Sequence, residues 1–369
     1  MNISAYHTLL EGSNYEVGHI MGSIIQEIPG AAASVQAAEC CVGKGKEKEM
    51  YRLFDEFCPG INEEIAGFAE ELNIPPAQIL YYTETFLRPG CSQMVLLPSK
   101  TLIGHTILAR NYDFKDGIEE MMISTTRIKG RYAHVASSAW IFGRGDGLNE
   151  HGLGVSQSGV GIPVTSNMPN TSRSAITGIQ FWAVIRSVLE NCRNVEEAIQ
   201  WTREMPIGFN INMLVADKSG EAALIETFNG VKAVKKIDGL SGEQYLCATN
   251  HAHLPELMPY APLNLKNSVK RYNIMMNELN GMESVTTEDV RKLLSVKYPE
   301  GLNCGYYDSF FGTIRSQIID VDAGTMEIRW GSPDVNAWHT FRIEDRVLQD
   351  ALPVCLQKEE MPEDFFAMI

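Results

Sequence analysis

The sequence predicts an α+β fold in which sheets stack at the centre and helices lie outside them. Three observations lead there. Residues 1–90 read as mainly helical, and the texture changes to short β-prone runs at Cys91. From there strands, a helix pair, strands, a second helix pair and strands follow one another. An element that is apolar on one face must bury that face against another layer, so this alternation sets helices over stacked sheets. No repeat at a fixed period, no low-complexity segment and no Pro-, Gly- or Ser-rich linker interrupts the 369 residues. The change at 90/91 is therefore the one boundary drawn, between a helical leader (1–90) and a body (91–369).

In the leader, Gly12-Ser13-Asn14-Tyr15-Glu16-Val17-Gly18 runs into Ile20, Met21, Ile24 and Ile25, with Ser13 or Asn14 as the N-cap. Residues 31–41 are rich in small helix formers. Residues 50–72 carry Leu53, Phe54, Ile61, Ile65, Phe68 and Leu72 roughly at helical spacing. Pro75-Pro76 stands where a helix begins, which predicts one over 76–82.

Strands are predicted at 93–97, 102–110, 121–128, 132–138 and 152–158, with a hairpin turn at Lys129-Gly130. The glycines at 143, 145, 147, 152 and 154 lie between strand-like runs and open no helix, which argues against a dinucleotide loop. Helices follow at 174–191 and 194–203, the second opened by Asn194 with Glu197. Strands resume at 211–217 and 221–228 around the turn Asp217-Lys218-Ser219-Gly220, then at 231–237 and 243–249. The second helix pair spans 265–280 and 287–295, the latter capped by Thr286 or Thr287. Strands at 313–320, 325–330 and 337–343 follow, the first turn being Asp322-Ala323-Gly324-Thr325.

Composition excludes several function classes. With 44% hydrophobic and 21% charged residues the chain can build a full core. A formal charge of −15 argues against nucleic acid and anionic membrane surfaces as partners. No apolar run approaches the roughly 18–20 residues of a membrane span. The first residues lack a basic region followed by an apolar one, so no signal peptide is expected. Eight cysteines without CxxC spacing suggest free thiols, a reducing compartment and, by default, the cytoplasm. No metal or cofactor is implied. Self-association into a homo-oligomer is left open.

The chemistry concentrates in one stretch. Arg88-Pro89-Gly90-Cys91-Ser92-Gln93 opens it, Ala109-Arg110-Asn111-Tyr112-Asp113-Phe114 closes it, and a turn at Pro98-Ser99-Lys100 separates two apolar runs. That strand pair would set Cys91 near Arg110 and Asp113. A thiol beside a guanidinium and a carboxylate fits an activated nucleophile. A buried cysteine beside a surface ion pair fits the same residues.

Several motifs in order decide between the two. They are Glu11-Gly12-Ser13-x-Tyr15-Glu16-x-Gly18, Gly90-Cys91, Arg110-Asn111-Tyr112-Asp113-Phe114, Gly147-Leu148-Asn149-Glu150-x-Gly152-Leu153, Ala248-Thr249-Asn250-His251 and Ser268-x-x-Arg271. Together they resemble the N-terminal-nucleophile (Ntn) hydrolases of the choloylglycine hydrolase and penicillin V acylase superfamily. The resemblance is strongest to the isopenicillin-N acyltransferase-like family and covers essentially the whole chain. It implies a four-layer αββα sandwich and self-cleavage between Gly90 and Cys91, with the leader kept as a small subunit. The new α-amine of Cys91 then serves as base for its own thiol, so no histidine is required.

The resemblance also implies roles for individual residues. Asp113 positions the nucleophile, Arg110 favours the thiolate and balances Asp113, and Asn250 donates to the developing oxyanion. The bile-salt hydrolase branch carries Arg at the position of Arg110; the acyltransferase branch does not. Arg271 matches a family arginine near the site, although on a helix it reads equally as a solvated charge. The second oxyanion donor of the hydrolase branch is an asparagine on the strand after Gly-x-Asn-Glu. Here that strand reads Val155-Ser156-Gln157-Ser158-Gly159, leaving Ser158 or a backbone N–H as the substitute.

The implied function is an amidohydrolase that opens a linear amide through a Cys91 thioester. An acyltransferase moving an acyl group from a thioester to an amine shares the same intermediate. A non-catalytic member of the family is the third reading, favoured only by the missing asparagine. The substrate is in either enzymatic case a small-molecule amide or acyl-thioester. Asn149 reads as a turn-fixing residue, His251 and His253 as an HxH without a third ligand, and Cys40-Cys41 as packed leader residues. Trp140, Phe142, Tyr306, Tyr307, Phe310 and Phe311 read as core rather than pocket.

Overall fold

The computed structural model describes residues 1–28, 32–33, 35, 44–79, 90–139, 141–161, 176, 178–261, 263–348 and 350–369. The leader contains β1 (Asn2–Gly12), α1 (Asn14–Glu27), α2 (Lys44–Phe57), α3 (Ile61–Glu71) and the short α4 (Pro76–Ile79). Strands β2 (Gly90–Leu96), β3 (Ile107–Phe114), β4 (Met122–Ile128), β5 (His134–Ala139), β6 (Gly143–Asn149) and β7 (Gly154–Gly159) follow. Helices α5 (Phe181–Asn191) and α6 (Val195–Glu204) precede β8 (Ile211–Ala216), β9 (Ala222–Phe228), β10 (Val231–Ile237) and β11 (Tyr245–Ala248). Helices α7 (Lys266–Gly281) and α8 (Thr287–Ser295) come next. The last strands are β12 (Gly305–Tyr306), β13 (Phe311–Asp320), β14 (Thr325–Trp330), β15 (His339–Phe341) and β16 (Leu352–Cys355).

The strands form two sheets. Nine run in the order β10-β9-β8-β7-β6-β5-β4-β1-β16, and the other sheet runs β11-β2-β3-β13-β14-β15 with β12 beside β13. Three apolar layers hold the stack together. One packs α1, α3, α5 and α6 onto the outer face of the nine-stranded sheet through residues such as Val17, Phe68, Trp182, Val155 and Met213. The second fills the space between the sheets with Val95, Leu108, Val135, Leu148, Leu214 and Ile319. The third packs Met275, Leu279, Leu293 and Leu294 of α7 and α8 against Met94, Leu96 and Ala109. The order is therefore helix, sheet, sheet, helix, as expected. Each such Leu, Ile or Val contributes roughly 1.5–3 kcal/mol on burial.

Local signals set several boundaries. Ser13 caps α1 in a capping box with Glu16, and Thr286 caps α8 in one with Asp289. The Asn194 side chain accepts the Glu197 N–H at the start of α6. Two expectations are corrected. The leader is not helical throughout: residues 2–12 form β1, parallel to β4 and antiparallel to β16. Its ladder partners lie more than 100 residues away in sequence, so no hairpin signal marks it. The glycine series forms β6 rather than a connection between strands. A side chain at Gly143 would come within 2.3 Å of Trp182 on α5, and one at Gly147 within 2.5 Å of Ala136. Glycine there lets the helix lie directly on the strand.

Among the described residues no helix is long and apolar enough to cross a membrane, and six cysteines are free thiols. Arg88, Pro89, Cys40, Cys41 and Trp140, most of the helix read over 31–41 and most of 159–172 lie outside the described residues.

Candidate active site

Strand alternation builds the site from β2 and β3. Cys91 and Val95 face the space between the sheets, while Met94 and Leu96 face α7 and α8. In the antiparallel register Gly90 lies opposite Asp113, Cys91 opposite Tyr112 and Gln93 opposite Arg110. Side chains on one strand alternate between faces. Arg110 therefore reaches the thiol from the inner face, and Asp113 lies on the outer face beside the backbone of residues 90 and 91.

Three polar atoms of Cys91 are each held by a different side chain. Arg110 Nη2 donates to Sγ at 3.0 Å. The Cys91 N–H donates to Asn250 Oδ1 at 3.1 Å. Arg271 Nη1 donates to the Cys91 carbonyl at 2.5 Å and to Ser92 Oγ at 2.8 Å. Arg271 Nη2 reaches Asn250 Oδ1 at 2.8 Å and Asn267 Oδ1 at 2.9 Å, so α7 ties β2 to the Asn250 turn. Asn250 Nδ2 donates to the Gly159 carbonyl at 2.9 Å. All four side chains are buried.

Asp113 Oδ1 accepts from Thr313 Oγ1 at 2.7 Å, and Oδ2 stands 3.9 Å from Arg271 Nη1. That second oxygen has no hydrogen-bond partner among the described residues. Burial pushes the Asp113 carboxyl up to about 6, against the opposing pull of Arg271, Thr313 and Arg110. Burial also pushes the Cys91 thiol up, with Arg110 as the main influence in the other direction. Gly90 is required sterically, because a Cβ there would lie 2.2 Å from Cζ of Phe311.

The structure brings Cys91, Arg110, Asp113, Asn250, Arg271 and Gly90 together. Ser158 lies deeper between the sheets, where its hydroxyl donates to the Thr249 carbonyl at 2.5 Å and accepts from Gln93 Nε2 at 3.0 Å. Asn149 braces the turn between β6 and β7, donating to the Leu189 and Cys192 carbonyls and accepting the N–H groups of His151 and Leu153. His253 accepts the Thr249 N–H through Nε2, and its ring packs beside His251 with centroids 4.1 Å apart. Burial holds His251 down at about 4 and His253 well below the usual range. Among the described residues no group of three His, Cys, Asp or Glu side chains could hold a metal ion.

Sequence reading missed the polar groups behind Arg110. Its Nη1 donates to the Gly145 carbonyl at 3.1 Å and to Asp146 Oδ2. Arg315 on β13 bonds Glu119 at 2.9 Å and Ser137 at 3.0 Å. An arginine amid the apolar residues of 311–319 and an aspartate inside a glycine run were the available signals. Thr313 gave none.

A cysteine heading an inner strand of a helix-flanked double sheet is the architecture of an Ntn hydrolase. Residues 102–335 match the family model described as Acyl-coenzyme A:6-aminopenicillanic acid acyl-transferase, and the chain belongs to that family. It is an enzyme of the class that makes or breaks amide bonds. No curated protein sequence matches the chain. Among solved structures it is similar to penicillin V acylase from Agrobacterium tumefaciens, at 17% identity over 68% of this chain and 86% of that one, TM-score 0.44. A mutant conjugated bile acid hydrolase from Clostridium perfringens gives 12% identity over 73% and 97%, TM-score 0.42. The Caenorhabditis elegans ortholog of N-acylethanolamine-hydrolyzing acid amidase gives 14% over 63% and 93%, TM-score 0.43. The family assignment stands on the family model, not on these likenesses.

Proposed function

We propose that this chain is an autoprocessed cysteine Ntn amidohydrolase acting on a linear amide C–N bond. The observation that carries the reading is the separate grip on the N, Sγ and O atoms of Cys91 by Asn250, Arg110 and Arg271. A cysteine that only fills a core has no need of three such partners.

In maturation the Cys91 thiol attacks the Gly90 carbonyl, and the acyl group passes from nitrogen to sulfur. That shift breaks the amide and frees the α-amine, and water then hydrolyses the thioester, releasing the Gly90 carboxylate end of the leader and the thiol. Asp113 Oδ2, which has no hydrogen-bond partner among the described residues, supports a role in accepting from the new ammonium, which gains protons that the amide lacked. In turnover the amine takes the thiol proton, and the thiolate attacks the substrate carbonyl. Asn250 donates to the oxyanion, with a backbone N–H as the second donor, because the Ser158 hydroxyl already gives its hydrogen to the Thr249 carbonyl. The ammonium protonates the leaving amine, and water resolves the thioester. No cofactor enters, the leader stays as a subunit, and the free thiols support the cytoplasm as location.

Intact-mass measurement tests this. Fragments of residues 1–90 and 91–369 are expected, and Cys91→Ala should abolish processing and activity together. Processing that persists in Cys91→Ala would exclude Cys91 as nucleophile. The family description favours a second reading, transfer of the acyl group from a thioester donor to an amine. An acyl-thioester supplied with and without an amine separates the two. N-acyl product supports transfer, and free acid alone rejects it.

A further inference from the structure

The strongest feature outside the assigned residues is the buried charge network behind Arg110. Arg110 uses one guanidinium nitrogen on Cys91 Sγ and the other on Asp146. Asp146 is in turn shared, for its Oδ1 accepts from Ser137 and its Oδ2 lies 3.9 Å from Arg315 Nη2. Arg315 also donates to Ser137 Oγ at 3.0 Å and pairs with Glu119 at 2.9 Å. Glu119 accepts from the Tyr112 hydroxyl at 2.9 Å. The Tyr112 ring lies 4.9 Å from the Arg110 guanidinium and 4.1 Å from that of Arg315. Arg110, Asp146 and Arg315 are buried, where charges interact more strongly than at a surface.

We infer that Asp146 and Arg315 are positioning residues that set the thiolate fraction of Cys91 through Arg110. Asp146 competes with the thiol for one guanidinium, and Arg315 competes with Arg110 for Asp146. The two competitions act on the thiol with opposite sign. Removing Asp146 leaves more of the Arg110 charge for sulfur, whereas removing Arg315 gives Asp146 wholly to Arg110. The other charged groups facing Cys91, Arg271 from α7 and Asp113 from β3, belong to the opposite face of the strand pair. Gly145 keeps the passage open, since a Cβ there would meet Arg315 at 3.0 Å and Arg110 at 3.7 Å. This inference rests on Cys91 being the nucleophile.

The test is a pH titration of Cys91, read as the thiolate ultraviolet absorbance of each protein minus that of its Cys91→Ser counterpart. Asp146→Asn is expected to move the midpoint down by about one pH unit, and Arg315→Gln to move it up by about as much. Glu119→Gln, at the margin of the network and so less disruptive to folding, is expected to move it down by a smaller amount. A residue with only a structural role would not give shifts of opposite sign. Shifts of the same sign for Asp146→Asn and Arg315→Gln, or no shift in Glu119→Gln, would overturn the inference. Acylation of wild-type Cys91 by p-nitrophenyl acetate, followed by mass, keeps the two claims apart. No acetyl on Cys91 removes the nucleophile reading itself, while acetylation with unmoved midpoints removes only the tuning.

Discussion

Replacing Asp113 by asparagine should change how stability depends on pH, in a direction that burial dictates. The folded carboxyl titrates at about 6 against an ordinary 3.8, so between those values the folded state holds a proton that the unfolded chain has released. Stability therefore falls as pH rises through this window. About two pH units at 1.36 kcal/mol each gives about 3 kcal/mol lost between pH 4 and 7. The amide introduced by Asp113→Asn cannot titrate, so the variant should gain about 3 kcal/mol relative to wild type over the same range. Any constant cost of leaving Arg271 less well paired cancels in that comparison. Arg271 keeps four other acceptors: the Cys91 carbonyl, Ser92, Asn250 and Asn267. Urea unfolding of Cys91→Ala and of Cys91→Ala/Asp113→Asn, both uncleaved so that no new ammonium faces Asp113, at a series of pH values measures the difference. Parallel stability profiles from pH 4 to 7 would refute the claim that burial governs Asp113.

Other substitutions probe the neighbouring parts. Gly90→Ala should stop processing and cost about 1–3 kcal/mol, because its methyl overlaps the Phe311 ring; a Phe311→Ala partner should restore part of the stability in thermal melts. Arg110→Gln leaves Asp146 buried beside only Arg315 and Ser137, with an expected loss of about 3–5 kcal/mol by denaturant unfolding. Asn250→Ala should lower turnover by roughly 10²–10³ in single-turnover assays if its amide serves the oxyanion. Glu64→Gln breaks the buried 2.6 Å pair between α3 and Arg186 of α5, and the processed leader should then separate at lower urea in size-exclusion runs.

How much of this was legible in sequence follows from the range of each interaction. Capping at Ser13, Asn194 and Thr286 and the turn at Lys129-Gly130 are local, and they emerge as expected. The strand pair carrying Cys91 and Arg110 is likewise set by a short connection. β1 was missed because its partners β4 and β16 come from far along the chain. β6 was missed because its glycines are chosen by what lies above them, Trp182 and Ala136, rather than by strand preference. Within the candidate site the ordered motifs singled out Cys91, Arg110, Asp113, Asn250 and Arg271, side chains that the fold brings together. They did not show that Arg110 and Asp113 approach the cysteine from opposite faces, although strict alternation along β3 contains that information. Asp146, Arg315 and Thr313 stayed hidden because each matters only through a neighbour brought in by the other strands.

The most direct measurement is the mass of the protein after brief reaction with p-nitrophenyl acetate. One acetyl group is expected on the 91–369 fragment, located at Cys91 and lost in Cys91→Ala. Acetylation unchanged in Cys91→Ala, or none in wild type, would contradict Cys91 as the acyl-bearing nucleophile.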